Sequence, residues 1–134
     1  MSRIRFNNRV HPMNRAVSEM ANSYDLIHDI DCIYHNRQRM HWLMIEWKNC
    51  SEQQMKESTL SSLIDIDSCF VDSDQHYVGL FVIRVMFDVY TFPLDDTQQC
   101  QIVHWFNGQM REECTYSTGA KSAIQHILDH GCLQ

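Results

Sequence analysis

Two neighbouring stretches decide the fold expected of this chain: Asp29-Ile30-Asp31-Cys32-Ile33-Tyr34 and His41-Trp42-Leu43-Met44-Ile45-Glu46-Trp47-Lys48. The first belongs to a segment, residues 27–34, that alternates apolar and polar side chains, and the second is rich in residues that favour strands. The polar run 35–39 separates them. Alternation with a period of two is typical of a half-buried strand, so the two stretches predict a β-hairpin with a loop of moderate length.

Strand geometry then predicts which side chains share a face. Residues i and i+2 point the same way and lie about 6.6 Å apart. Glu46 and Lys48 therefore share one face of their strand, and the side chains between and before them point to the core on the other face. Asp29 and Asp31 also share a face. If the two strands pair, one of these aspartates comes to lie beside Glu46.

Two carboxylates and an ammonium group are a suitable set for metal-assisted hydrolysis of a phosphodiester. Mg²⁺ takes oxygen ligands, typically one or two carboxylates together with water and substrate phosphate. Asp31 and Glu46 could bind such an ion, which lowers the pKa of a bound water and neutralises charge on the phosphate. Lys48 could orient that water or stabilise the transition state.

The rest of the chain predicts three helices and three further strands. Helical spacing of apolar residues predicts a first helix over 12–24, and Ser51-Glu52-Gln53-Gln54 fits the start of a second. Strands are expected over 77–90, 99–106 and 109–116, with a tight turn at Asn107-Gly108. The last helix carries an apolar stripe and ends at a glycine cap; the residues are Ala120, Ala123, Ile124, Ile127, Leu128 and Gly131.

The predicted order is therefore α-β-β-α-β-β-β-α, an α/β or α+β sandwich around one mixed β-sheet. At 134 residues the chain fits a single domain, residues 1–134, in which residues 1–12 form a basic N-terminal arm. No stretch reaches the roughly 20 apolar residues of a membrane span, and the N-terminus lacks the apolar region of a secretion signal. We expect a cytoplasmic protein without membrane contact.

The pattern of Asp31 followed by Glu46-Trp47-Lys48 resembles the PD-(D/E)XK nuclease superfamily, over residues 13 to about 90. The resemblance implies a restriction-endonuclease-like core and a DNA endonuclease that uses Mg²⁺ or Mn²⁺ and no organic cofactor. It implies Asp31 and Glu46 as metal ligands, Lys48 as the catalytic lysine and Glu19 as a possible further ligand. No proline precedes either aspartate, so Asp29 remains an alternative ligand. Members of this family commonly act as homodimers, which we also expect here.

Charge is distributed unevenly along the chain. The net charge of -6 argues against binding of nucleic acid through overall basicity. Acidic metal sites accept a phosphate through the cation, so the negative total does not exclude a nuclease. Two basic groups are the expected contacts to DNA: the N-terminal Arg3, Arg5, Arg9 and Arg15, and the loop residues Arg37 and Arg39.

Other patterns favour structural roles. The six cysteines occur singly, without a Cys-x-x-Cys pair, and are expected to be small buried side chains. His126 and His130 lie four residues apart near Cys132, a spacing that can hold zinc, but they fall on the polar helix face and lack a second ligand pair. The acids of 65–67 and 72–74 are expected in a solvated loop, and Trp47 in the core.

A second functional class remains open at this point. The alternative is a catalytically silent module of the same fold that binds DNA or a protein partner, such as one encoded by a mobile element. The acidic net charge favours this alternative. The joint presence of Asp31, Glu46 and Lys48 favours the nuclease, because none of the three has an evident packing role.

Overall fold

A computed structural model describes residues 3–4, 32–48, 57–88 and 91–134. The described residues form one mixed β-sheet and two helices, so the fold belongs to the α+β class. The prediction contains no strand at Arg3–Ile4, where the structure has a short one. In chain order the elements are β1 (Arg3–Ile4), β2 (Cys32–Asn36), β3 (His41–Lys48), α1 (Glu57–Ser73), β4 (Tyr77–Val85), β5 (Cys100–Phe106), β6 (Gln109–Tyr116) and α2 (Ala120–His130).

The strands lie in the sheet in the same order as in the sequence, from β1 to β6. Neighbouring strands are antiparallel except for β3 and β4, which are parallel. A parallel pair needs a long crossover, and α1 lies in the segment that makes it. The predicted hairpin of β2 and β3 is present, and so is the hairpin at Asn107-Gly108, where both residues have positive φ, 55° and 76°.

Each face of the sheet carries one helix and one buried cluster. On the α2 face, Leu43, Ile45 and Phe81 pack against Ala123 and Ile127. On the α1 face, Met44 and Leu80 pack with Leu63 and Tyr77. The apolar stripe predicted for the last helix is confirmed by the burial of Ala120, Ala123, Ile124 and Ile127. The central strands β3 and β4 are therefore covered on both sides.

One predicted strand is longer than the strand in the structure, and two predicted helix features lie outside the described residues. The strand expected over 77–90 ends at Val85, where its pairing with Cys100 ends. The chain then turns, and the Asp88 carbonyl accepts hydrogen bonds from the amides of Thr91 and Phe92. The helix predicted over 12–24 and the helix start at Ser51 lie outside the described residues.

The prediction of a solvated loop for the acids of 65–67 and 72–74 is wrong for all of these residues except Asp74, which lies in the turn after α1. Residues 65–73 belong to α1, and Asp67 is completely buried. Its carboxylate accepts hydrogen bonds from the Tyr77 hydroxyl at 2.5 Å and the Gly108 amide at 2.9 Å. Asp67 thereby ties α1 to β4 and to the β5–β6 turn. These long-range partners, which the local sequence does not reveal, explain why this acid is buried.

The cysteine prediction is correct only in part. Cys100 is buried in the α2-face cluster, but Cys69 and Cys132 are exposed. Cys69 lies on the outer side of α1, and Cys132 follows the end of α2. Among the described residues, neither helix is long and apolar enough to cross a membrane.

Candidate functional site

Glu46 and Lys48 lie near the end of β3 on the face that α1 covers. Their side chains alternate with Ile45 and Trp47, which pack on the α2 face, so the predicted division of this strand into two faces is confirmed. Glu46 is only 9% exposed, whereas Lys48 is half-buried. The burial of Glu46 shows that this carboxyl group does not lie on a solvated strand face.

Neighbouring strands add a second cation to the same place. Lys48 pairs in register with Arg84 of β4, and Glu46 pairs with Val82. Residues paired across a sheet point to the same face, so Arg84 lies on the side that carries Glu46 and Lys48. Because β3 and β4 are parallel, their carboxyl ends meet at the same edge of the sheet. Arg84 is half-buried.

The polar surface continues onto β5 and β6. Gln101 pairs with Arg84, and its amide nitrogen donates a hydrogen bond of 2.7 Å to the Glu113 carboxylate. Pairing of Glu113 with Val103, and of Val103 with Val82, places Glu113 in the same row as Glu46. We refer to Glu46, Lys48, Arg84, Gln101 and Glu113 as the strand-end cluster. It contains acids and bases side by side at one edge of the α1-covered face.

The predicted acidic partners of Glu46 cannot be placed relative to it. Asp29, Asp31 and Glu19 lie outside the described residues. The first residue of β2, Cys32, pairs with Ile45, which precedes Glu46. Within the described parts of the chain, no three acidic, imidazole or thiol groups converge, as they stand, on one point that a metal ion could occupy.

The loop arginines that were predicted to contact DNA lie away from the strand-end cluster. Arg37 and Arg39 are exposed in the turn before β3, whereas Glu46 and Lys48 are near its end. At about 3.4 Å per residue, His41 at the start of β3 and Glu46 are separated by roughly 17 Å along the strand. Arg3, in the predicted arm, belongs to the edge strand β1. Arg5, Arg9 and Arg15 lie outside the described residues.

The sequence did not single out Arg84, Gln101 or Glu113 of this cluster, and the cation among them is Arg84. It interrupts an apolar strand, Tyr-Val-Gly-Leu-Phe-Val-Ile-Arg-Val, one residue before the end of that strand. A charged residue within a strand that is otherwise apolar on both faces was the sequence feature that could have marked Arg84 as a candidate functional residue. Its position beside Lys48 depends on the parallel pairing of β3 with β4, which local patterns do not determine.

The groups whose pKa is clearly shifted lie elsewhere in the fold. Burial lowers the pKa of His104, whose ring stacks on Phe81 and donates a hydrogen bond to the Val78 carbonyl. The His76 amide hydrogen bond lowers the pKa of Asp74, and the Thr97 hydroxyl lowers that of Asp95. Burial raises the pKa of Cys100 to about 11. These shifts reflect packing and turns, and they do not identify a reactive group in the strand-end cluster.

The three tryptophans have packing roles. Trp47 lies against the α2-face cluster as predicted. Trp42 contacts the rings of Phe70 and Tyr77 at centroid distances of 4.9 and 4.7 Å, and its indole nitrogen donates to Asp74. Trp105 packs against the α1-face cluster.

The strand-end cluster can therefore supply one buried carboxylate and two cationic side chains at the shared end of two parallel strands. Such a set suits recognition of a phosphate group through Lys48 and Arg84, with Glu46 as one oxygen ligand for a hard cation. Comparison of the chain with protein-family models, with curated proteins and with solved structures gave no match.

Proposed function

We propose that this protein is a metal-dependent DNA endonuclease of the PD-(D/E)XK type. In this proposal Glu46 and Asp31, or Asp29 in its place, bind Mg²⁺ or Mn²⁺. Lys48 assists the water that attacks the phosphodiester, and Glu19 is a possible further ligand. A homodimer, a cytoplasmic location and the absence of an organic cofactor belong to the same proposal.

The observation that supports it most strongly is the burial of Glu46 beside two basic positions. Removing an ionised carboxylate from water costs several kcal/mol unless cations or hydrogen bonds compensate. A buried acid on a central strand therefore needs compensating groups around it. A functional role as a metal ligand gives a reason for its presence, and the ends of parallel strands are where ligands commonly bind in mixed and parallel sheets.

Arg84 extends the proposal from the metal to the substrate. A guanidinium group presents planar donors that match two phosphate oxygens, and an ammonium acts as a point charge. We therefore assign Arg84 to the phosphate of the bound DNA strand and Lys48 to the attacking water. The N-terminal and loop arginines would then contact more distant phosphates.

Metal binding is tested by thermal unfolding with and without Mg²⁺ or Mn²⁺. A ligand that binds the folded state alone stabilises it, by about 2.7 kcal/mol at 100 times its Kd. We expect the parent to be stabilised and Glu46→Gln, which keeps the shape of the side chain, to lose most of the effect. Glu57→Gln changes an exposed acid in the first turn of α1 and serves as the matched control. Equal stabilisation of all three proteins would remove Glu46 from the metal site.

The nuclease assignment is tested by incubating the full chain with plasmid, linear and four-way-junction DNA in the presence of either metal. Cutting of at least one substrate that depends on the metal is expected, and an Arg84→Ala variant should cut more slowly than the parent. Arg111→Ala, an exposed arginine on β6, is the control for a general loss of positive charge. The absence of cutting by a folded parent would favour the catalytically silent binding module, which the net charge of -6 also supports.

A further inference from the structure

A second group of metal-binding side chains lies at the C-terminal end of α2, away from the strand-end cluster. His126 and His130 are one turn apart on the helix, with ring centroids 4.5 Å from each other. The Cys132 sulfur lies 3.8 Å from Nε2 of His126. Two imidazoles and a thiol are thus neighbours on one small surface.

The chain after α2 is fixed in a way that holds Cys132 against the helix. Gly131 adopts the left-handed conformation, with φ of 69°, and its amide donates to the Ile127 carbonyl at 2.7 Å. Leu133, one residue after Cys132, is buried in the α2-face cluster. Cys132 therefore sits between two buried residues, Gly131 and Leu133, while its own side chain is exposed. The backbone around Cys132 is therefore already fixed, and binding of a ligand by this thiol costs little backbone conformational entropy.

The distances are close to those that a tetrahedral metal ion requires. With bonds of about 2.0 to 2.1 Å to nitrogen and about 2.3 Å to sulfur, the two donors of a zinc site lie about 3.6 Å apart. The distance of 3.8 Å between Nε2 of His126 and the Cys132 sulfur is about 0.2 Å longer, and a small side-chain rotation removes this difference. The three donors do not yet converge on one point, so the exposed ring of His130 must turn to supply the third.

We propose that His126, His130 and Cys132 bind a transition-metal ion of the zinc class, through two imidazole nitrogens and one thiolate. The fourth position is left to water. On binding, the Cys132 thiol loses its proton to solvent. The ion links the last turn of α2 to the C-terminal segment. Magnesium, which prefers oxygen ligands, does not bind at these three donors.

The test is a cobalt(II) titration of the reduced full chain near neutral pH. Co²⁺ bound to a thiolate gives a sulfur-to-metal charge-transfer absorption in the near ultraviolet, and tetrahedral Co²⁺ gives intense visible bands. We expect the absorption to saturate at one equivalent of metal and to disappear when Zn²⁺ is added in competition, but not when Mg²⁺ is added.

Three variants identify the ligands. Cys132→Ser should abolish the charge-transfer absorption, and His126→Gln and His130→Gln should each weaken binding by at least about tenfold, the loss that even a supporting residue of a metal site can cause. Cys69→Ser and His76→Ala change an exposed thiol and an exposed imidazole elsewhere and should bind as the parent does. Circular dichroism establishes that each variant is folded.

Absence of a thiolate band in the folded parent would overturn the proposal. Its survival in Cys132→Ser, or unchanged affinity in both histidine variants, would overturn it as well. None of these outcomes bears on cleavage of DNA, because the two sites share no residue.

Discussion

Asp67 and Glu46 are both acids that the fold buries, but their surroundings differ. Asp67 accepts hydrogen bonds from Tyr77 and from the Gly108 amide, so its carboxylate has an evident structural role. Glu46 lies near the end of a central strand, on the face that also carries Lys48 and Arg84, which pair with each other in register. At the scale of single residues, we therefore assign Asp67 to the stability of the fold and Glu46 to the proposed metal binding.

Removal of the Asp67 carboxylate should destabilise the fold strongly. Asp67→Ala leaves the buried Tyr77 hydroxyl and Gly108 amide without their acceptor, and hydrogen bonds to charged groups contribute about 1.5–3 kcal/mol each. We expect a loss of about 2–4 kcal/mol in the free energy of unfolding, measured by urea denaturation. Asp67→Asn should cost less, because the amide can accept from Gly108 and donate to the Tyr77 oxygen.

Asp65→Ala is the matched control, since Asp65 is an exposed acid two residues earlier in α1. Substitutions at such surface positions usually change stability by less than about 0.5 kcal/mol. An Asp67→Ala protein as stable as Asp65→Ala would show that the buried hydrogen bonds do not hold α1 to the sheet.

Sequence patterns indicated which side chains of β3 share a face, because that depends only on the period of a strand. They did not indicate the burial of Glu46 or the placement of Arg84. Both depend on contacts between segments far apart in the sequence, the packing of α1 over the sheet and the parallel pairing of β3 with β4.

At the scale of elements, the loop between β4 and β5 supplies the cap of α2. Gly119, in the N-cap position, makes no side-chain cap hydrogen bond. The Asp96 carboxylate accepts instead from the amide and the hydroxyl of Ser122, both at 2.8 Å. Loop carbonyls accept from three further amides at the helix start, those of Gly119, Ala120 and Lys121. The loop thus satisfies the donors that a helix N-terminus leaves open.

Asp96→Ala should therefore weaken α2. Loss of a capping side chain costs about 0.5–2 kcal/mol, and here an anion near the positive end of the helix dipole is also lost. We expect a decrease of about 1 kcal/mol in the free energy of unfolding, measured by chemical denaturation. Ser122→Ala removes the hydroxyl contact but keeps the amide contact, so its effect should be smaller. An effect of Ser122→Ala larger than that of Asp96→Ala would contradict this role of the loop.

The helix itself was predictable, and its cap was not. The stripe from Ala120 to Ile127 follows a period that a single segment carries in its own sequence. The capping acid lies 26 residues before its partner, across β5 and β6. The predicted strand over 77–90 was too long for a related reason, because its end is set by pairing with Cys100.

At the scale of the whole molecule, the mixed sheet with one helix on each face fits the predicted sandwich. The longer strands and helices were predictable because each has its own apolar period, whereas the two-residue strand β1 was not. The parallel pairing of β3 and β4 was harder to predict from the sequence, although the helical segment between the two strands is consistent with it.

Stability of the whole fold should fall in two stages as the pH decreases. Burial lowers the pKa of His104 below its ordinary value of 6.5. As the pH falls below that value, the His104 imidazole therefore binds a proton in the unfolded chain before it does so in the folded protein. The stabilising contribution is complete above that ordinary value and is lost as the pH falls through the lowered one. The lowered pKa values of Asp74 and Asp95 give a second loss, which begins below their ordinary value of 3.8.

The free energy of unfolding, measured as a function of pH, tests this expectation. His104→Gln keeps a donor for the Val78 carbonyl but does not titrate, so the upper stage should disappear while the lower one remains. Asp95→Asn should reduce the lower stage alone. A parent whose stability increases from neutral pH to about pH 5 would contradict the assignment of the upper stage to His104.

The most direct test of the proposed nuclease is the rate of DNA cleavage with Mg²⁺ or Mn²⁺ by the parent, Glu46→Gln and Lys48→Ala. Loss of a general acid–base group or of a positioned charge typically reduces catalysis by about 10²–10⁴-fold. We predict metal-dependent cutting by the parent and a loss of at least about 10²-fold in both variants, with Lys121→Ala on α2 unchanged. Cutting that persists in Glu46→Gln and Lys48→Ala, or a folded parent that cuts no DNA with either metal, would contradict the account.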